Sequence, residues 1–167
     1  MLDNFQFRQY ILQPTLKALQ LNPSDYEELM VGTFAQESLG CTYIRQIDNG
    51  VGLGPFSMQP QTHDDIWNVV LPNNPMLTYN LMLHCMLGIN KPKPELMMYH
   101  LTYATAMAAI CYFRFHEEKP KKLDGMAAYW KKYYNTQLGK GTEEEFVENY
   151  LIFTGAKNEK QKTHGKK

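Results

Sequence analysis

The spacing of apolar side chains along the chain predicts a mainly helical protein. In the opening segment, Phe5–Leu21, apolar residues recur at three- and four-residue intervals, and Pro14 predicts a kink or a restart there. A second helix is predicted to begin at Ser24, because Ser24 and Glu27 have the spacing of a capping box. Gly40 is the predicted end of that helix.

The longest apolar pattern, Glu95–Phe115, predicts the central helix of the domain. Apolar residues lie on almost all of its sides, which is typical of a helix buried among other elements. Thr142 and Glu145 form a second capping-box pattern and predict the start of the last helix. Residues 156–167 are rich in lysine and poor in apolar residues, so we expect one domain over 1–155 followed by a basic, disordered tail.

The helical spacing disappears between Cys41 and Pro60. Strand-forming residues lie on both sides of Asp48-Asn49-Gly50, and an Asn-Gly pair after an extended run is typical of a hairpin. We therefore expect a small β-hairpin or a long ordered loop here, beside the end of the preceding helix. Thr62 is the predicted cap of a short helix after this segment. The fold class predicted is mainly α (α+β), with a small hairpin or loop region.

Composition argues against several kinds of protein. The chain has 167 residues, 44% of them hydrophobic, which is enough for one sizeable core. Lys plus Arg equals Asp plus Glu, 17 each, so the basic excess of a nucleic-acid binder is missing. No apolar run reaches the roughly 18 residues of a membrane span, and the N-terminus lacks the pattern of a signal peptide. Three widely spaced cysteines predict reduced thiols, with no metal site and no cofactor.

Glu37 is the residue in this sequence that points most directly to chemistry. It falls in the last turn of its predicted helix, where the partial negative charge of the helix end disfavours a carboxylate. That field and the apolar neighbours raise the pKa of the carboxyl group, as a general acid near neutral pH requires. Glu37 is therefore the predicted catalytic residue. Asp48 is a possible second carboxylate, although a turn residue is its more frequent role.

Several motifs together resemble the soluble lytic transglycosylases, which have a lysozyme-like fold. The Glu37-Ser38 pair matches the glutamate at the family's helix end, Gly54, Pro60 and Thr62 match its second motif, and Tyr112 matches the tyrosine of an alanine-rich helix. The resemblance covers residues 20–150, and two further segments, 62–67 and 127–132, resemble phage and prophage members in particular. Pro55 and Ser57 depart from the Leu and Gln that the family usually has.

The resemblance implies a peptidoglycan-degrading enzyme that cleaves the MurNAc-GlcNAc bond with one glutamate as acid and then base. The N-acetyl group of the sugar replaces the second carboxylate that ordinary glycosidases need. The implied substrate contacts beside the active-site cleft are Ser38, Ser57, Met58, Gln59, Thr62 and Tyr112. The aromatic residues Tyr129, Trp130 and Tyr133 fit sugar stacking less well than core packing, and His63 is expected on the surface.

Two alternatives to a transglycosylase remain open. A muramidase of the same fold would activate a water molecule, and a virion or secretion-apparatus component would keep the fold without cutting. The implied partners are peptidoglycan glycan strands and other virion or secretion components. A phage-encoded, virion-associated protein of this kind would be made in the bacterial cytoplasm without a signal peptide and would act in the periplasm or cell wall.

Overall fold

The structure is a computed structural model that describes residues 1–47, 50–135 and 139–156. Helices make up 65% of it and strands 2%, so the prediction of a mainly α protein is confirmed. No helix in the described ranges is long and apolar enough to cross a membrane. The α-helices are α1 (Asn4–Phe7), α2 (Gln13–Ala18), α3 (Pro23–Ser38), α4 (Pro60–Asp65), α5 (Pro75–His84), α6 (Leu96–Tyr99), α7 (Leu101–Phe113), α8 (Leu123–Trp130) and α9 (Glu143–Thr154).

Three stretches of π-helix extend these elements: Arg8–Leu12, Ile66–Val70 and Lys131–Asn135. The first of them separates α1 from α2 and directly precedes Pro14 in the first turn of α2. A proline ring clashes with the carbonyl four residues before it, and a wider turn relieves that clash. The predicted interruption at Pro14 is therefore confirmed, and its form is a π turn. A short 3₁₀ turn, Leu71–Asn73, follows the second stretch.

Helix α3 begins two residues earlier than predicted and ends at Ser38, just before the predicted stop at Gly40. Its cap is Asn22, whose side-chain oxygen accepts a hydrogen bond from the Ser24 N–H at 3.2 Å. The prediction of Ser24 as the cap is wrong, because Asn22 is an equally good cap and Pro23 fits the first helical position. At the other end Leu39 adopts a left-handed conformation, with φ of 50°, and stops the helix. Glu37 therefore lies in the last turn.

Helix α7 is the buried centre of the domain. Ten consecutive residues, 103–112, are buried, so the helix is enclosed on all sides. The prediction of one continuous helix from Glu95 to Phe115 is wrong. The chain breaks at His100, whose ring nitrogen Nδ1 accepts from the Tyr103 N–H at 3.2 Å and caps α7.

Helix α3 packs against α9, α8 and α7, and this contact places its last turn inside the domain. Gly32 makes the close approach to α9 possible, because a Cβ at this position would lie 2.2 Å from the Phe146 ring. On another side of α3, the Phe34 ring stacks on Phe7 with centroids 3.9 Å apart. The capping box of α9 is confirmed, with mutual bonds between Thr142 and Glu145 of 2.8 and 3.2 Å.

The segment between α3 and α4 is an ordered loop rather than a sheet in its described residues. Isolated antiparallel bridges join Leu53 to Arg45 and to Met58. Gly54 lies at the centre of this loop with φ of +71°, and a Cβ there would be 2.3 Å from the Met97 carbonyl oxygen. A glycine is thus required at this position for two reasons. Asp48, a predicted turn residue and possible carboxylate, lies outside the described residues.

Two further predictions concern the first residue of α4 and the oxidation state of the cysteines. Helix α4 begins at Pro60 with Gln59 as its cap, so the prediction of Thr62 as the cap is wrong. Proline at the first helical position is preferred over a start two residues later. The three cysteines are free thiols, as expected.

Candidate functional site

The Glu37 carboxyl group forms the centre of the site. Its Oε1 accepts a hydrogen bond from the indole Nε1 of Trp130 at 2.8 Å. Burial raises the pKa of Glu37 to about 7, and the bond from Trp130 opposes that rise. The residue as a whole is half-buried, so Glu37 is not sealed from the surface. The group is therefore poised between its acid and base forms near neutral pH.

Trp130 reaches Glu37 because α8 packs on both α3 and α9. Its side chain is buried, and its ring lies 5.3 Å from that of Phe146 on α9. The prediction that Tyr129 and Trp130 pack in the core is confirmed. The bond to Glu37 was missed, because the two residues are 93 positions apart. The available signal was chemical: a buried indole N–H needs an acceptor.

Two buried tyrosines lie near this carboxyl group. Burial, with a smaller contribution from the charge of Glu37, raises the pKa of Tyr112 and of Tyr134 well above the ordinary value. The two rings are 5.3 Å apart. The Tyr134 hydroxyl donates to the Phe56 carbonyl oxygen at 2.9 Å, and the Tyr112 hydroxyl shares a 2.7 Å bond with Thr33. Both hydroxyls therefore tie their helices to neighbouring segments.

Arg114 follows these residues at the end of α7 and was missed by the sequence analysis. Its Nη2 lies 3.4 Å from the Cys111 sulfur, and its guanidinium carbon lies 5.0 Å from the Phe115 ring centroid. Its Nε is buried and has no hydrogen-bond partner among the residues described. In the family that the sequence resembles, Asn-Ala-Gly often follows the tyrosine, and this chain has Phe113-Arg114-Phe115 after Tyr112 instead.

The residues expected to bind substrate divide into buried and accessible groups. Ser38 is buried and accepts from the Cys41 N–H at 2.8 Å, so it closes the end of α3. Met58 is also buried and packs in the core, so its side chain does not face an open groove. Ser57, Gln59 and Thr62 are at least partly exposed, and Ser57 has a left-handed backbone with φ of 48°.

His63 is buried, so the expectation of a surface position is wrong. The Tyr103 hydroxyl oxygen accepts a hydrogen bond from the Trp67 indole N–H at 2.8 Å. The tyrosine therefore donates its own hydroxyl hydrogen to His63 Nε2 at 2.7 Å. His63 Nδ1–H then donates to Asp64 at 3.0 Å, and Lys91 pairs with the same carboxylate at 2.8 Å. Burial lowers the pKa of His63 and keeps it neutral. This network joins α4 to α7, and the hydrogens of Trp67, Tyr103 and His63 are donated to other members of it.

Two surface cavities lie away from Glu37. One of about 410 Å³ lies between α8 and α9, and its rim carries the acidic residues Asp124, Glu143 and Glu144. The other, of about 470 Å³, lies beside α2 and the start of α3. No group of three or more potential metal ligands is present in the described ranges. Comparison with protein-family models, curated proteins and solved structures found no match to this chain.

Proposed function

We propose that this protein is a peptidoglycan lytic transglycosylase in which Glu37 is the single acid and base. The observation that carries the proposal is a buried carboxyl group with a pKa of about 7 and one oxygen fixed by an indole. At neutral pH, comparable fractions of this group are protonated and ionised. One residue with that pKa is suited to both proton transfers of the reaction.

The hydrogen bond from Trp130 distinguishes the two oxygens of the carboxyl group. Oε1 accepts from the indole, and Oε2 has no hydrogen-bond partner in the part of the chain that the structure describes. The acidic hydrogen therefore belongs on Oε2. From there it is transferred to the glycosidic oxygen as the bond to C1 of the MurNAc ring breaks.

The remaining steps need no second carboxylate. The substrate's N-acetyl oxygen attacks C1 and stabilises the positive charge, as in substrate-assisted glycosidases. Ionised Glu37 then removes the proton from the sugar's 6-hydroxyl, whose oxygen bonds to C1 and displaces the N-acetyl oxygen. The product is a 1,6-anhydro sugar, and Glu37 regains its proton.

A non-catalytic relative of the same fold is the second candidate. Ser38, Met58 and Tyr112 are buried, and the two described cavities lie away from Glu37. A protein that retains the helical core without a working cleft would have these features. It would act as a virion or secretion-apparatus component.

Mass spectrometry of digests of purified peptidoglycan separates these functions. We expect anhydro-muramic ends from the wild type and none from Glu37→Gln, which keeps the acceptor for Trp130. Glu144→Gln, which changes an exposed acid at the cavity between α8 and α9, is the matched control and should retain full activity. Reducing ends would instead indicate a muramidase, and the absence of cleavage by the wild type would favour the non-catalytic role.

A further inference from the structure

One stretch of the chain contains no Asp, Glu, Lys or Arg. It runs from Ile66 to Asn90, which is 25 residues, in a chain where 20% of residues are charged. About five charged residues would be expected in a stretch of this length. The stretch includes all of α5 and the turn after it. A surface helix normally carries charges on its outer side, so their absence here requires an explanation.

The outer side of α5 is apolar. Met76, Tyr79 and Leu83 have the spacing of one helical face, and between 61% and 64% of each residue is exposed. Met86 and Ile89 continue this face in the turn after the helix and are 93% and 92% exposed. We call these five residues the α5 apolar face. Leu77 and Leu81 of α5 are buried and anchor the helix to the core.

The size of the α5 apolar face argues against a second copy of the chain as its occupant. Five side chains exposing roughly 130 Å² each provide about 650 Å². The smallest stable interfaces need about 600 Å² from each partner, so a second copy would have to cover all five side chains almost completely. In addition, Met86 and Ile89 project almost fully from the turn. Such projecting residues suit a soft apolar phase better than a flat self-complementary contact.

The surroundings of the α5 apolar face fit the boundary between lipid headgroups and acyl chains. Tyr79 combines an apolar ring with a hydroxyl, which is typical of side chains at that depth. Lys91 and Lys93 lie two and four residues after Ile89, and both are exposed, as is Glu95. Lys91 already pairs with Asp64, so Lys93 supplies the attraction to lipid phosphates and the apolar side chains supply most of the binding.

We propose that the α5 apolar face binds the surface of a phospholipid bilayer. Met86 and Ile89 insert beside the acyl chains while Lys93 contacts phosphate groups. Binding of this type holds a protein on a membrane without a spanning helix. This proposal does not depend on the activity proposed for Glu37.

Sedimentation with vesicles of phosphatidylethanolamine and phosphatidylglycerol tests the proposal. The wild type should sediment with the vesicles, and Met86→Asp/Ile89→Asp should reduce the bound fraction at least tenfold. Ile152→Asp is the matched control, because it places the same charge on a half-exposed apolar position of α9. All three proteins should melt at similar temperatures, since the substituted side chains lie at the surface.

Three results would overturn the membrane proposal. The wild type could remain in the supernatant, or the double variant could bind as well as the wild type. Analytical ultracentrifugation without lipid could also show a wild-type dimer that the double variant dissociates, which would assign the face to a second copy. Because the vesicles contain no glycan, none of these results depends on peptidoglycan cleavage.

Discussion

Replacing Trp130 with phenylalanine removes the hydrogen bond that holds Oε1 of the Glu37 carboxyl group. Phenylalanine keeps an aromatic ring against Phe146 but has no N–H to donate to Oε1. That bond stabilises the ionised carboxylate more than the neutral acid, because charge-assisted bonds are the stronger ones. Its loss should therefore raise the pKa of Glu37 beyond its present value of about 7.

The size of this rise follows from hydrogen-bond energies. A bond to a charged group contributes about 1.5–3 kcal/mol and a neutral one about 1 kcal/mol. The difference, on the order of 1–1.5 kcal/mol, corresponds to roughly one pH unit. We therefore expect the pKa of Glu37 to increase to about 8 in Trp130→Phe. The ionised fraction at pH 7 would fall from about one half to about one tenth.

Carbon-13 NMR of glutamate-labelled protein measures this pKa without any assay of activity. The carboxyl signal that titrates near pH 7 in the wild type and is absent from Glu37→Gln identifies the residue. Phe146→Leu is the control for loosened packing, because it removes a neighbour of the Trp130 ring and leaves the indole N–H in place.

The result that would refute this reasoning is a pKa that stays at or below about 7 in Trp130→Phe. It would mean that water entering the vacated space solvates the carboxylate as well as the indole did. A rise of equal size in Phe146→Leu would instead assign the effect to packing. If the pKa does rise in Trp130→Phe alone, the alkaline limb of the pH profile of glycan cleavage, which reports loss of the proton that Glu37 donates, should shift to higher pH with it.

Three further predictions concern stability. Burial raises the pKa of Glu37 from 4.5 to about 7, so the free energy of unfolding of the wild type should fall as the pH rises from 4.5 to 7. In denaturant titrations, the free energy of unfolding of Glu37→Gln should exceed that of the wild type by up to about 3 kcal/mol at pH 8.5, with little difference at pH 4. Tyr103→Phe should cost about 2–4 kcal/mol in urea unfolding, because it leaves buried His63 without its donor. Gly54→Ala should destabilise the protein by roughly 1–3 kcal/mol and lower its melting temperature, because φ at this position is positive and a Cβ would lie too close to the Met97 carbonyl oxygen. An unchanged melting temperature would show that the loop can move to make room.

The parts of the fold that could be predicted from the sequence are those set by local chemistry. The apolar pattern around α7 predicted a buried central helix, and the capping residues Thr142 and Glu145 predicted the start of α9. The break at His100 could not be found in this way, because the apolar pattern continues across it. His100 accepts from a backbone N–H three residues later, and that cap was hidden by the stronger pattern.

The candidate site shows the same division between local and distant effects. The position of Glu37 in a last helical turn is a local property, and the sequence predicted it together with a raised pKa. The structure gives burial as the main cause of that shift, and burial arises from helices far away in the chain. Gly32 lets Phe146 approach α3 and thereby brings Trp130 within 2.8 Å of the carboxyl group. The proton affinity of this group therefore depends on a glycine five residues before it, through contacts between distant helices that no spacing rule contains.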